Sequence, residues 1–135
     1  VCMPGLSPEE EAEFHQVLSS FGQVEVLPER LMDVIVSVTG SSPAYVYMMI
    51  EAMGDAAVSI GLSRDSAYRL AAQALIGSAT MVRDTGKHPG ALKDDVCTPG
   101  GTTIQAVRVL EERGFRSALF EAMLKCHFAG AAPTT

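Results

Sequence analysis

The sequence predicts a mainly α-helical protein that opens with a short strand–helix–strand segment. Apolar residues recur at helical spacing from residue 29 onward, and no segment beyond that point alternates as a strand does. Serine or proline stands where several helices would begin, and glycine where they would end. We place helices at about residues 6–22, 29–39, 43–61, 64–85, 89–96, 102–113 and 117–129.

The first 28 residues have a different pattern. Ser7, Pro8 and the glutamates at 9–11 are typical of a helix start, with an N-cap, a proline at the first position and acidic residues in the first turn. Gly22 would end this helix. Residues 23–27 then alternate polar and apolar side chains, as a strand does. We therefore expect the tail of an α/β unit, with a boundary near residue 28.

The two longest predicted helices are too apolar for one small chain to cover. In residues 44–60 the polar side chains Glu51, Asp55 and Ser59 recur every four positions, which leaves one narrow polar stripe on the helix. The helix at 64–85 is similar. Large exposed apolar patches usually mark an interface, so we expect a homodimer.

Composition excludes several classes of protein. The chain has 135 residues, of which 47% are hydrophobic and 19% charged, so disorder is excluded. A net charge of -6 without a cluster of lysines or arginines argues against a nucleic-acid partner. Glu51 and Asp55 interrupt the longest apolar stretch, residues 43–62, which argues against a membrane span.

The chain start and the cysteines indicate its context. Val1-Cys2-Met3-Pro4 has neither an initiator methionine nor the layout of a signal peptide, so we interpret the chain as part of a longer protein. Cys2, Cys97 and Cys126 are an odd number without CxxC spacing, which favours a reducing compartment, the cytoplasm. The histidines His15, His88 and His127 show no ligand spacing, and we predict no metal site.

Residues that could carry chemistry are concentrated in two loops. Residues 98–103, Thr-Pro-Gly-Gly-Thr-Thr, lead directly into a predicted helix. Free N–H groups at the helix start, together with the hydroxyls, would suit a carboxylate or phosphate. The alternative is a turn with threonine as N-cap, worth about 1 kcal/mol of stability. Residues 39–45 form a small-residue hinge, for which a tight helix–helix turn is the simpler interpretation.

Several motifs taken together resemble those of the pyrroline-5-carboxylate reductase family. They occur in the same order and at matching intervals, and the resemblance covers essentially the whole chain. The motifs are Ser41-Ser42-Pro43-Ala44-Tyr45, His88-Pro89-Gly90 with Leu92-Lys93-Asp94, Thr98-Pro99-Gly100-Gly101-Thr102-Thr103-Ile104, and Gly114-Phe115-Arg116.

The resemblance implies an enzyme that reduces the cyclic imine of 1-pyrroline-5-carboxylate to L-proline, the last step of proline synthesis, with NADPH or NADH. By similarity, Thr98 and the amides of Gly101 and Thr102 would hold the substrate carboxylate. The Thr103 hydroxyl would be the catalytic group that hydrogen-bonds the ring nitrogen. Because a threonine hydroxyl is a poor acid, we interpret Thr103 as orienting and polarising the imine.

The resemblance also implies two parts. Residues 1–28 would be the remnant of a Rossmann-type NAD(P)-binding domain, and residues 29–135 the helical dimerisation and substrate-binding domain, in a homodimer or an oligomer of dimers. None of the 12 glycines forms GxGxxG, so the fingerprint of a dinucleotide site is missing and the cofactor-binding residues are unknown. We expect the chain to be inactive alone. The alternative function is an inert dimerisation module of another NAD(P)-dependent imine or ketone reductase.

Overall fold

The computed structural model describes residues 5–130, and every regular element within them is helical. A 3₁₀ turn at Glu29–Leu31 and a π-helical turn at Val36–Gly40 flank the short second helix. The helices are α1 (Pro8–Ser19), α2 (Met32–Ile35), α3 (Ser42–Ser59), α4 (Arg64–Thr85), α5 (Pro89–Val96), α6 (Thr102–Glu112) and α7 (Phe115–Gly130). The mainly α fold class is therefore confirmed.

The start of α1 matches its prediction. The Ser7 hydroxyl accepts a hydrogen bond from the Glu10 N–H, and the Glu10 carboxylate accepts one from the Ser7 N–H at 2.8 Å. This reciprocal capping box satisfies two N–H groups, and it lowers the pKa of the Glu10 carboxyl. The helix ends at Ser19, however, earlier than the predicted stop at Gly22.

The predicted strand–helix–strand segment is wrong as far as the structure describes it. Residues 23–28 have no regular structure, and no strand occurs anywhere in residues 5–130. A strand forms when a neighbouring strand pairs with its N–H and C=O groups, and the described chain offers none beside residues 23–27. Of the first predicted strand, residues 1–4 lie outside the described residues, and Gly5 is in a turn.

A close contact between α3 and α4 holds the central hairpin together. Gly54 is buried beneath the ring of Tyr68, and a Cβ at Gly54 would lie only 2.3 Å from Tyr68 Cδ1. The Tyr68 hydroxyl donates to Asp55 at 3.1 Å, and Arg64 donates to the same carboxylate at 2.6 Å. Arg64 and Tyr68 together hold the pKa of the Asp55 carboxyl below its usual value.

The remaining helices are positioned from the ends of this hairpin. Gly86 ends α4 in the left-handed conformation, at φ 64°, as a glycine just past a helix end commonly does. The chain then turns into α5 and α6. Helix α7 packs on the π-helical turn and on α2, where the Cys126 thiol donates to the Ser41 hydroxyl at 3.0 Å.

The described chain leaves most of its apolar side chains uncovered. Among residues 5–130, the buried apolar side chains are those of Ala67 and Ala71. Ile60 is 87% exposed, Tyr47 68% and Phe120 66%. A compact monomer of 14.3 kDa exposes about 6,800 Å², whereas this chain exposes 10,376 Å². The excess is of the size that large obligate subunit interfaces bury.

The contact at Gly54 generates a stability prediction. We expect Gly54→Ala to lower the free energy of unfolding by about 1–3 kcal/mol, because the hydrogen-bonded Tyr68 ring has little freedom to move away. Gly77→Ala in α4 is the matched control: nothing lies within 4 Å of its added Cβ, so it should raise stability by about 0.5–1 kcal/mol. Chemical denaturation at one protein concentration measures both. Equal effects of the two variants would contradict the packing described here.

Candidate functional site

A tight turn carries the chain from α5 into α6. The Gly101 N–H donates to the Thr98 carbonyl at 3.0 Å, which closes a four-residue turn. Gly100 lies inside this turn at φ 70°, a conformation that favours glycine. Gly100 and Gly101 therefore shape the loop that immediately precedes the start of α6.

The cap of α6 differs from the threonine cap that spacing alone favours. The N-cap residue is Gly101, and no side chain hydrogen-bonds to the first turn. A Cβ at Gly101 would lie 2.4 Å from Thr98 Oγ1 and 3.1 Å from the Thr98 carbonyl oxygen, so this position has room for glycine only. The helix-cap alternative is thus wrong, and the helix start is left open to an external acceptor.

Most polar groups around the start of α6 have no hydrogen-bond partner among the described residues. Within residues 5–130, no hydrogen bond engages the hydroxyls of Thr98, Thr102 or Thr103, or the N–H groups of Thr102 and Thr103. All three threonines are exposed. Of the four predicted site residues, Gly101 is the exception, because its N–H is already bonded within the turn. The other donors point to an anion site.

One of these threonines also faces a cleft. Thr103 lines a cavity of about 540 Å³ between the end of α4, α5 and α6, with the half-buried Cys97 beside it. The rest of its lining is largely apolar: Met81, Val82, Pro89, Leu92, Val96 and Val107. Clefts with an apolar lining and a few convergent polar groups are typical binding sites for small molecules.

Charged side chains line the cleft, and the sequence motifs included one of them, Lys93, without giving it a role. Lys87 and Asp95 both line it and form an ion pair at 3.2 Å. Lys93 lines it as well and pairs with Asp94 at 2.6 Å, and this carboxylate raises the pKa of the Lys93 ammonium. Five positions separate Lys93 from Thr98, so only its place on the inner face of α5 could have indicated this role.

The side chains of the second loop, residues 39–45, form hydrogen bonds that stabilise the fold. At the π-helical turn the Thr39 hydroxyl donates to the Ile35 carbonyl at 3.0 Å, and the Ser42 hydroxyl donates to the Val38 carbonyl at 2.5 Å. Ser41 accepts from Cys126 of α7. None of residues 39–45 is among the described residues that line the cleft. The structure therefore does not bring the two predicted loops together at this cleft.

Two of the three histidines form local hydrogen bonds. His88 caps α5 by accepting from the Gly90 N–H at 3.0 Å, and His15 is hydrogen-bonded to Ser19 at 3.2 Å. In the part of the chain that the structure describes, no three His, Cys, Asp or Glu side chains lie together as a metal site would need. None of the helices within residues 5–130 has both the length and the apolar character that crossing a membrane requires.

Comparison with known proteins agrees with this description. Residues 29–130 match the family model described as pyrroline-5-carboxylate reductase dimerisation. The pyrroline-5-carboxylate reductase of Escherichia coli K12 is 60% identical over 121 residues, which cover 90% of this chain and 45% of that protein. The reductase of Synechocystis is 47% identical over 118 residues, covering 87% of this chain and 44% of that protein.

Solved structures show the same likeness in three dimensions. A pyrroline-5-carboxylate reductase from Coxiella burnetii matches with a TM-score of 0.86 at 28% identity, over 94% of this chain and 47% of that one. The pyrroline carboxylate reductase of Plasmodium falciparum, solved with NADP bound, matches with a TM-score of 0.84 at 29% identity, over 96% and 52%. This chain thus spans about half the length of the proteins it matches.

The all-helical fold and the uncovered apolar surface are those of a helical dimerisation domain. More specifically, the chain belongs to the pyrroline-5-carboxylate reductase dimerisation family, whose model covers residues 29–130.

The crowding at Gly101 can be tested by a double-mutant cycle. We expect Gly101→Ala to lower the free energy of unfolding by about 1–3 kcal/mol, because its Cβ would meet Thr98 Oγ1. The double variant Thr98→Ala with Gly101→Ala should recover part of that loss, since the closest contact is then gone. Chemical denaturation of the two single variants and the double variant gives the coupling. Strict additivity would show that the two residues do not constrain each other.

Proposed function

We propose that this chain is the dimerisation and substrate-binding part of an enzyme that reduces 1-pyrroline-5-carboxylate to L-proline with NADPH or NADH. The observation that carries the proposal is the uncapped start of α6, with free threonine hydroxyls, in a chain that belongs to this family. The similarity to named reductases over most of the chain supports it.

The helix start is suited to the substrate carboxylate. In our proposal the Thr98 hydroxyl and the Thr102 N–H donate to its oxygens, and the amino-terminal end of the α6 dipole favours the negative charge. Gly101 contributes chiefly through its missing side chain, because its own N–H donates to the Thr98 carbonyl. This arrangement leaves Thr103, one residue further along the helix, to meet the ring.

Thr103 is proposed as the catalytic group that touches the ring nitrogen. Its hydroxyl has no partner in the described chain, and its side chain faces the cleft, where the apolar ring carbons would be covered. The hydroxyl orients and polarises the C=N bond. It does not attack the imine, and the proton on the product nitrogen comes from the iminium itself or from water.

The dinucleotide does not fit the residues of this chain. The sequence has no GxGxxG, and residues 5–130 contain no strand that could lead into a phosphate-binding turn. The cofactor, which supplies hydride to the imine carbon, would therefore be bound by another part of the protein. We propose that residues 1–28 belong to that NAD(P)-binding domain and residues 29–135 to the dimerisation and substrate domain.

Assembly and location complete the proposal. The uncovered apolar surface and the family to which the chain belongs support a homodimer, alone or within an oligomer of dimers. Cys97 and Cys126 are both free thiols, which suits a cytoplasmic protein.

Substitution of the catalytic threonine tests the proposed activity. Thr103→Val in the full-length enzyme should lower the rate of NAD(P)H-dependent reduction tenfold or more, on the order of the 1.5 kcal/mol of one hydrogen bond lost in the transition state. The 135-residue chain alone is the control and should be inactive, because it lacks a dinucleotide site. An unchanged rate in the variant would remove Thr103 from the mechanism.

Light scattering tests the assembly. The full-length protein should remain a dimer or a larger species on dilution to nanomolar concentration, because monomers would expose the apolar faces of α3 and α4. A stable, folded monomer at any concentration would contradict the inference from surface area.

A further inference from the structure

Helix α5 turns one face toward the cleft, and that face carries a lysine. Pro89, Leu92, Lys93, Val96 and Cys97 all line the cleft at the spacing of a single helix face, and Asp95 of the same helix lines it beside them. Four of these six residues are small or apolar. Lys93 thus stands where an apolar side chain would be expected, in the same cavity as Thr103.

The charges of the cleft do not cancel. Lys87 and Asp95 pair with each other, and both line the cavity. Lys93 also lines it, but its partner Asp94 is not part of the lining and has a side chain 72% exposed, against 36% for Lys93. The cavity wall therefore carries one more cation than anions, in a chain whose net charge is -6.

The Lys93 ammonium is charged at neutral pH and can accept a second anionic partner. Asp94 keeps the pKa of the ammonium above its ordinary value. An ammonium group has three donors, so the bond to Asp94 leaves two for other acceptors. In a half-enclosed apolar cavity a charge-assisted hydrogen bond is stronger than at an open surface.

We propose that Lys93 makes the cleft selective for substrates that carry a carboxylate. The inference rests on the proposed function, in which a small cyclic imine enters beside Thr103. The start of α6 then provides neutral hydrogen-bond donors for the carboxylate, and Lys93 provides a full positive charge. An analogue without the carboxylate gains nothing from that charge. Lys93 is a specificity-determining residue in this proposal, and it takes no part in proton transfer.

The competing explanation is that the Lys93 stem only covers apolar surface while its ammonium stays in water. Lys93→Met distinguishes the two, because methionine keeps an unbranched apolar side chain and removes the charge. The measurement is the ratio of kcat/KM for 1-pyrroline-5-carboxylate to kcat/KM for 1-pyrroline, the same ring without the carboxylate. It is made on the full-length enzyme.

We expect Lys93→Met to lower this ratio about tenfold, mainly through a higher KM for the carboxylate substrate, and Lys93→Arg to retain most of it. Lys125→Met on α7 removes the same charge from an exposed site outside the cleft and should leave the ratio unchanged. An unchanged ratio in Lys93→Met, or an equal fall in Lys125→Met, would overturn the proposal.

Two further results keep the test decisive. If Lys93→Met does not fold, Asp94→Asn is the second variant: it removes the competing carboxylate and should raise the ratio about twofold to threefold, and a lower or unchanged ratio would overturn the inference. If the wild-type enzyme reduces neither ring, the proposed function itself has failed. Reduction of both rings without preference would instead overturn the inference about Lys93 and leave the proposed reductase function standing.

Discussion

The described chain does not bury enough of its own apolar surface to be a self-sufficient domain. A long helix can remain this apolar only when other helices cover it nearly all round, and here the most extensive contact within the described chain is the one between α3 and α4. That contact depends on the missing side chain of Gly54 and on the hydrogen bonds that fix Tyr68 to Asp55 and Arg64. The hairpin is consequently the rigid element from which the cleft is built, because the end of α4 forms one of its walls.

Rigid support matters for a site that binds through backbone groups. The N–H groups at the start of α6 cannot adjust independently, since their directions are set by the helix and by the turn at Thr98–Gly101. The turn itself depends on glycine, because any Cβ at Gly101 would displace the Thr98 side chain. Preorganised donors of this kind lose little entropy when an anion arrives, which compensates for their small individual charge.

Much of this fold could be predicted from the sequence, because helix ends have local causes. Ser7, Ser63 and Gly86 stand at the ends of their helices as predicted, and the bounds of α4 and α5 agree with the predicted ranges. The prediction of a strand at residues 23–27 was wrong because alternating polar and apolar side chains indicate only a tendency. A strand forms only when it pairs with another segment. The change from α- to π-helical winding at Val36–Gly40 was also missed; the Thr39 and Ser42 hydroxyls there donate to the carbonyls of Ile35 and Val38.

The site shows the same division between local and distant causes. The open start of α6 follows from six consecutive residues and could be anticipated, although the threonine cap was the simpler expectation. The position of Lys93 in the cleft could not, because it follows from where α5 lies relative to the ends of α4 and α6. In the sequence, Lys93 is the basic residue nearest before the loop, five positions from Thr98. Helical geometry explains its place in the cleft: the face of α5 that supplies the apolar wall also carries Lys93, and Lys87, which precedes the helix and pairs with Asp95, completes the charge of that wall.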